Sequence, residues 1–219
     1  MDYSETFSTL GHYCGRFGPG FWGEPANSFS NLAFVFGGLV AILVWRQSNR
    51  PAPIVLVLIL LASIIGVGSF IFHSWPSEAT LAVDLIPIQV FGLCFMSYVL
   101  RCRLKLAWPA TVAAVLAFFL IRQVLIRIAQ PGLLGGGFSH VPTLLVLGLL
   151  TWQLRLKLDP VWRYLALAIA SYVAALTVRT FDIPLCHEFP IGLHWLWHLL
   201  TALAVSLIIL GTARHQDVT

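Results

Sequence analysis

Long runs of apolar residues, separated by short polar stretches, make up most of the chain from residue 31 onward. A helix that crosses a membrane needs about 20 mainly apolar residues. Seven runs approach that length, and Pro and Gly residues mark the boundaries between them. We therefore predict seven membrane-spanning helices, over residues 31–46, 54–73, 82–100, 108–127, 140–156, 161–178 and 192–212.

The composition supports this interpretation. The chain is 58% hydrophobic and only 10% charged, whereas ordinary soluble domains have about 25% charged residues. We expect an all-α membrane protein, a seven-transmembrane helix bundle. Residues 1–30 form an outer N-terminal segment, 31–213 the seven-span domain and 214–219 a short cytoplasmic tail. The net charge of +4 is accounted for by basic loops, so no nucleic acid partner is expected.

The distribution of Lys and Arg predicts the orientation in the bilayer. With the N-terminus outside and the C-terminus inside, nine basic residues fall on the inner side and four on the outer side. The positive-inside rule favours this orientation. Arg122 and Arg127 lie near the outer end of the fourth span, where arginine can snorkel to the interface.

Three histidines and a carboxylate interrupt the apolar runs. His194 and His198 lie one helical turn apart, His73 ends the second span, and Asp84 lies near the start of the third. This orientation puts all four near the outer leaflet. Ionisable residues at membrane depth usually mark a function, and three histidines beside a carboxylate suggest a catalytic zinc site with an open position for water. The alternative is a set of interfacial residues in an aromatic belt.

Several motifs match a known family in the right order. They are Glu24-Pro-Ala-Asn-Ser-Phe-Ser-Asn31, Gly68-Ser69-x-x-x-His73 with Asp84 eleven residues on, Arg179-Thr-Phe-Asp182-x-x-x-Cys186, and His194-x-x-x-His198. With these motifs the chain resembles the alkaline ceramidases and their bacterial relatives. Those proteins belong to a superfamily of seven-span hydrolases that includes adiponectin-receptor-like proteins.

The resemblance implies a zinc ion held by His73, His194 and His198. It implies that Asp84 acts on the attacking water and that Ser69 lies beside the carbonyl under attack. The expected reaction is hydrolysis of the amide of a ceramide-like membrane lipid, with release of a fatty acid and a long-chain base. The resemblance also pairs an N-terminal cysteine with one before the last helix, which here implies a Cys14–Cys186 disulfide on the oxidising side.

The chain departs from the eukaryotic members at their calcium-binding segment. Of the acidic calcium ligands in that segment, Glu24 alone remains in this chain, with Arg16 nearby. Calcium needs six to eight oxygen ligands, which one carboxylate does not supply. We expect no calcium requirement. The departure favours a bacterial inner-membrane protein with its active site near the periplasmic face.

Other polar residues receive structural interpretations. We expect Arg179 and Asp182 to pair locally, the alternative being contact with the substrate. We expect Cys94 and Cys102 to stay reduced and the remaining histidines to bind no metal: His12, His140, His187 and His215. Two further functions stay open. The protein could be a seven-transmembrane receptor or sensor with a structural zinc, or a hydrolase of another acylated lipid such as a GPI-type anchor.

Overall fold

The protein is a bundle of apolar helices. A computed structural model describes residues 13–18, 20–47, 52–128 and 133–215. The helices are α1 (Pro25–Ser30), α2 (Leu32–Arg46), α3 (Pro53–Ser74), α4 (Glu78–Tyr98), α5 (Trp108–Ile128), α6 (Val141–Leu156), α7 (Val161–Asp182) and α8 (His194–Arg214). Because α1 and α2 follow one another as a single span, seven segments are long and apolar enough to cross a membrane. The prediction of an all-α seven-helix membrane protein is confirmed.

Local sequence signals set where the helices begin. Pro53 occupies the first position of α3, where its missing N–H costs no hydrogen bond. Ser77 and Thr80 form a reciprocal capping box that starts α4 at Glu78, four residues before the predicted boundary. The first span begins at Pro25, six residues before the predicted position 31. This earlier start makes the segment from Asn27 to Asn31 helical and brings its polar side chains into the bundle.

The helices differ in how much of their surface the bundle covers. More than half of α8 is buried inside the protein, whereas Thr111 is the one buried side chain of α5. Glycines allow α3 to approach its neighbours closely, as small residues do in membrane bundles. A Cβ atom added to Gly68 would lie 2.5 Å from the carbonyl oxygen of Val83 in α4. A Cβ atom added to Gly66 would lie 2.8 Å from the carbonyl oxygen of Asn31. Helices α2, α3 and α4 are therefore in backbone contact near the predicted site.

An ion pair joins the helices at the opposite end of the bundle. Arg103, in the wide π turn that ends the α4 span, contacts Asp159 at 2.6 Å, and both side chains are almost fully buried. The Arg103 guanidinium also donates to the His215 carbonyl at 2.5 Å, and the Val161 amide donates to Asp159 at 3.0 Å. These contacts connect α4, α7 and the end of α8.

Candidate metal centre

The three predicted histidines meet inside the bundle. His73 is the second-last residue of α3, while His194 and His198 occupy the first two turns of α8. All three are buried, and each offers a ring nitrogen within 4.8 Å of the others. No further His, Cys, Asp or Glu joins this group within the part of the chain that the structure describes. The arrangement is therefore a set of three ligands that could hold one metal ion.

A buried carboxylate fixes the orientation of the first histidine. The Nδ1 atom of His73 lies 2.6 Å from Glu24 Oε2, which also accepts from Asn27 at 2.9 Å. The other oxygen of Glu24 pairs with Arg16 at 2.5 Å. Burial alone would raise the pKa of the Glu24 carboxyl, but its contacts with His73, Asn27 and Arg16 hold it below its usual value. Glu24 thus fixes the His73 ring and leaves Nε2 free to bind a metal.

The two histidines of α8 have different surroundings. The Nδ1 atom of His198 lies 2.8 Å from the Ser30 hydroxyl and 3.3 Å from the Asn31 amide nitrogen, which again leaves Nε2 free. The Nδ1 atom of His194 is buried without a hydrogen-bond partner among the described residues. The Tyr13 ring stacks on His194 with 3.9 Å between ring centroids. Three imidazoles, one of them with an unpartnered nitrogen among the described residues, form a donor set that suits zinc.

Ser69 and Asp84 lie beside the histidines. Ser69 is one turn before His73 on α3 and is buried, while Asp84 is half-buried in the second turn of α4. The Asp84 carboxylate interacts with the Ser69 hydroxyl and lies close enough to His73 for their charges to interact. The close approach of α3 and α4 at Gly68 accounts for this pairing, because Gly68 and Val83 each immediately precede one of the two residues.

A disulfide and a carboxylate hold the start of α8 in place. Cys14 and Cys186 are joined, so the predicted pairing is confirmed. Asp182 accepts hydrogen bonds from the Leu193 amide at 2.6 Å and the His194 amide at 3.1 Å, at the positive end of the α8 dipole. It also accepts from the Cys14 amide at 3.0 Å. The first histidine ligand of α8 therefore follows a firmly anchored backbone.

The expected Arg179–Asp182 pair does not form. Asp182 directs its carboxylate to backbone amides, while the Arg179 guanidinium lies over the rings of Tyr13 and Trp197, at 5.5 and 5.1 Å from their centroids. The physical reason is that the backbone N–H groups at the start of α8 have no partner within the helix and donate to the Asp182 carboxylate. The structural role expected for Asp182 remains, with different partners.

An apolar cavity of about 180 Å³ extends from the histidines into the bundle. Ser69, Asp84, His194 and His198 line it at one end. From His194 to Ile208 the lining follows fifteen residues of α8, a rise of about 21 Å at 1.5 Å per step. Most of the remaining wall is aromatic or aliphatic: Phe34, Ile65, Ile88, Phe91, Phe95, Met96, Phe118, Leu147, Leu150 and Val205. The cavity is therefore apolar over most of its length and polar at the histidines.

The remaining histidines lie apart from the metal-ligand group. His140 lines the cavity with its Nδ1 atom 2.6 Å from the Tyr172 hydroxyl, while His187 is exposed and His215 lies at the opposite end of the bundle. His12 lies outside the described residues.

The sequence interpretation missed the roles of Glu24, Ser30 and Asn31. The signal was present, since polar residues at helical spacing in the Glu24–Asn31 motif share one face.

Together, fold and site define a seven-span membrane protein with a buried three-histidine centre, an adjacent serine and carboxylate, and a largely apolar cavity. A comparison with protein families agrees with this class. The family described as Ceramidase matches residues 20–216, nearly the whole chain, and the chain therefore belongs to the ceramidase family. Membership implies hydrolysis of a lipid amide. None of the curated proteins matches the chain.

Proposed function

We propose that the protein is a zinc-dependent amidohydrolase that cleaves the amide of ceramide-like lipids to a fatty acid and a long-chain base. The observation that carries the proposal is the placement of Ser69 and Asp84 beside three buried histidines at the end of an apolar cavity. His73, His194 and His198 are the residues that would hold the ion. When bound, a zinc ion would lower the pKa of water toward about 7 and polarise a carbonyl.

The side chains around the histidines supply the remaining chemistry. Asp84 accepts the proton of the attacking water and then donates it to the departing amine as general base and acid. Ser69 donates a hydrogen bond to the oxygen of the amide carbonyl as negative charge develops there. The apolar cavity holds the hydrocarbon part of the substrate and excludes bulk water from the amide. Glu24, Ser30 and Asn31 keep the histidine rings oriented.

A receptor with a structural zinc is less well supported. A structural zinc site is usually closed by four protein ligands, whereas a catalytic site has three and an open position. Within the described residues the cluster has three ligands, and a cavity adjoins it.

The proposal is tested with purified protein and defined lipids. Ceramides and a total lipid extract are incubated with zinc-loaded protein, with chelator-treated protein, and with chelator-treated protein to which zinc is returned. Mass spectrometry measures released fatty acid and long-chain base. We expect release that the chelator abolishes and zinc restores. Absence of release from every lipid, or release that the chelator leaves unchanged, would refute the proposal.

We further propose that the histidine end of the bundle faces the outside of the cell, with the C-terminus inside. The Cys14–Cys186 disulfide at that end supports this orientation, because disulfides persist in oxidising compartments. The test uses single cysteines in place of the exposed residues Glu188 and Lys157, in a chain whose Cys94 and Cys102 are replaced. In intact cells, an impermeant maleimide is expected to label position 188 and not position 157; the reverse pattern contradicts the proposal.

A further inference from the structure

Two arginines within the membrane-spanning segments line the cavity. They are Arg122 of α5 and Arg179 of α7. Arg122 lies six residues before the end of α5 and Asp84 six residues after the start of α4, so both are about 9 Å from the same end of the bundle. Charged residues at this depth are costly and usually functional. Because α5 is a peripheral helix with little buried surface, packing does not explain an arginine at position 122.

The positive charge of these arginines is not balanced by protein carboxylates. Neither guanidinium has an ion-pair partner among the described residues. The ion pairs found there have Arg16, His73 and Arg103 as their basic members. Asp84 is the one acidic residue in the cavity lining, and it offsets one of the two charges. The side chains therefore give the cavity a formal charge of +1, to which a bound metal ion would add.

The neighbours of the two arginines offer polar but uncharged surfaces. His140 and Tyr172 line the cavity, hydrogen-bond to each other, and interact electrostatically with both arginines. The Nε atom of Arg179 is buried without a hydrogen-bond partner in the described part of the chain. A ligand with oxyanion character would complete this group, because guanidinium groups bind carboxylate, phosphate and sulfonate oxygens strongly and directionally.

We infer that the natural substrate is an anionic lipid amide, with a carboxylate, phosphate or sulfonate close enough to the amide to contact Arg122 and Arg179. This inference rests on the proposed function and specifies its substrate class. The hydrocarbon chain lies in the apolar part of the cavity, while the amide lies at Ser69 and Asp84. A neutral lipid would leave the net positive charge of the cavity without a counter-charge, which is unfavourable in a low-dielectric site.

The test compares lipid amides that share one acyl chain and one long-chain base. One is a neutral ceramide, and the others carry a phosphate, a sulfonate or a carboxylate on the head group. With zinc-loaded protein in mixed micelles, we expect kcat/KM for the best anionic lipid to exceed that for the neutral lipid at least about tenfold, the scale of one charge-assisted hydrogen bond. The three anionic compounds distinguish which oxyanion the site prefers.

Variants of α5 show whether Arg122 causes this preference. Arg122→Gln is expected to reduce the anionic-to-neutral ratio of kcat/KM to below about threefold, mainly through KM for the anionic lipid, while Arg122→Lys gives an intermediate ratio. Arg127→Gln is the matched control, because Arg127 is exposed one turn further along the same helix and does not line the cavity. Its ratio should equal that of the unmodified protein.

The inference is overturned if the neutral ceramide is cleaved as well as every anionic lipid, or if Arg122→Gln leaves the ratio unchanged. It is also overturned if that variant weakens only inhibition by the fatty acid product, because the arginines would then bind the product carboxylate. If no lipid is cleaved, the proposed function fails instead, and native mass spectrometry then measures lipid retention directly. Equal retention of phosphorylated and neutral lipid by the unmodified protein would still contradict the inference, whereas preferential retention that Arg122→Gln abolishes would support it.

Discussion

The two ends of the bundle both contain buried polar residues, but they use them differently. At one end, Arg103 and Asp159 neutralise each other, and their remaining bonds go mainly to backbone groups of α7 and α8. At the other end, polar side chains surround a cavity, and four of the six unpartnered buried side-chain atoms of the described residues lie there: Asn27 Oδ1, Asn31 Oδ1, Arg179 Nε and His194 Nδ1. Buried polar atoms without partners are costly. The comparison indicates that the Arg103 end stabilises the fold, while the histidine end is arranged to bind other groups.

Removing the proposed metal ligands should produce the largest effect on the histidine end. The double variant His194→Ala, His198→Ala leaves one of three ligands, so we expect loss of bound zinc and of detectable lipid hydrolysis. Elemental analysis by mass spectrometry measures zinc per chain, which should be about one in the unmodified protein. His187→Ala is the matched control, since His187 is exposed near the same end. Full zinc occupancy in the double variant would refute the proposed ligand set.

Removing the proposed general base should separate chemistry from metal binding. Asp84→Asn preserves the shape of the side chain but cannot accept a proton, so turnover is expected to fall by about 100-fold or more while zinc stays bound. Ser69→Ala should also slow turnover, by a smaller factor, because it removes one hydrogen bond to the carbonyl oxygen. Steady-state kinetics and zinc content are measured on the same preparations. Unchanged turnover in Asp84→Asn would mean that this carboxylate is structural.

Glu24→Gln tests the residue that orients His73. The amide keeps the size of the side chain but removes the negative charge that faces the His73 ring and Arg16. Changes of this kind typically weaken metal affinity by about 10- to 100-fold. Competition with a zinc chelator measures the affinity, and zinc added in excess should restore much of the turnover. An unchanged affinity would show that the Glu24 contact does not contribute to metal binding.

The smallest effect on turnover is expected at the opposite end. Asp159→Asn removes one charge of the buried pair and leaves Arg103 unpaired, so the thermal unfolding temperature should fall. Zinc content and turnover per folded molecule should stay the same, because Asp159 is far from the cavity along α7. A loss of zinc or turnover in folded Asp159→Asn would contradict the division between the two ends.

The sequence predicted the parts of the site that lie within apolar runs. His73, His194, His198, Ser69 and Asp84 stand out because polar side chains in membrane helices are costly. The Cys14–Cys186 pairing followed from the family resemblance and is confirmed. The family itself is confirmed as well. Seven spans were visible from hydropathy because the bilayer imposes a minimum helix length.

What the sequence did not show depends on contacts between distant segments. Glu24 was interpreted as a remnant of a calcium site, yet its partner is His73, 49 residues away. Asp182 was expected to pair with Arg179, three residues before it, but it binds the backbone of the next helix. The inward position of Arg122 was also missed, because hydropathy does not show which face of a peripheral helix meets a cavity.

The order in which the ligands occur along the chain has a consequence for biosynthesis. His73 emerges early from the ribosome, but His194 and His198 belong to the last helix, and Asp182 and Cys186 position that helix against the start of the chain. A nascent protein that has inserted six spans carries one of the three proposed metal ligands. Under the proposed ligand set, unfinished chains are unable to hydrolyse membrane lipids, and insertion of the final helix completes the site.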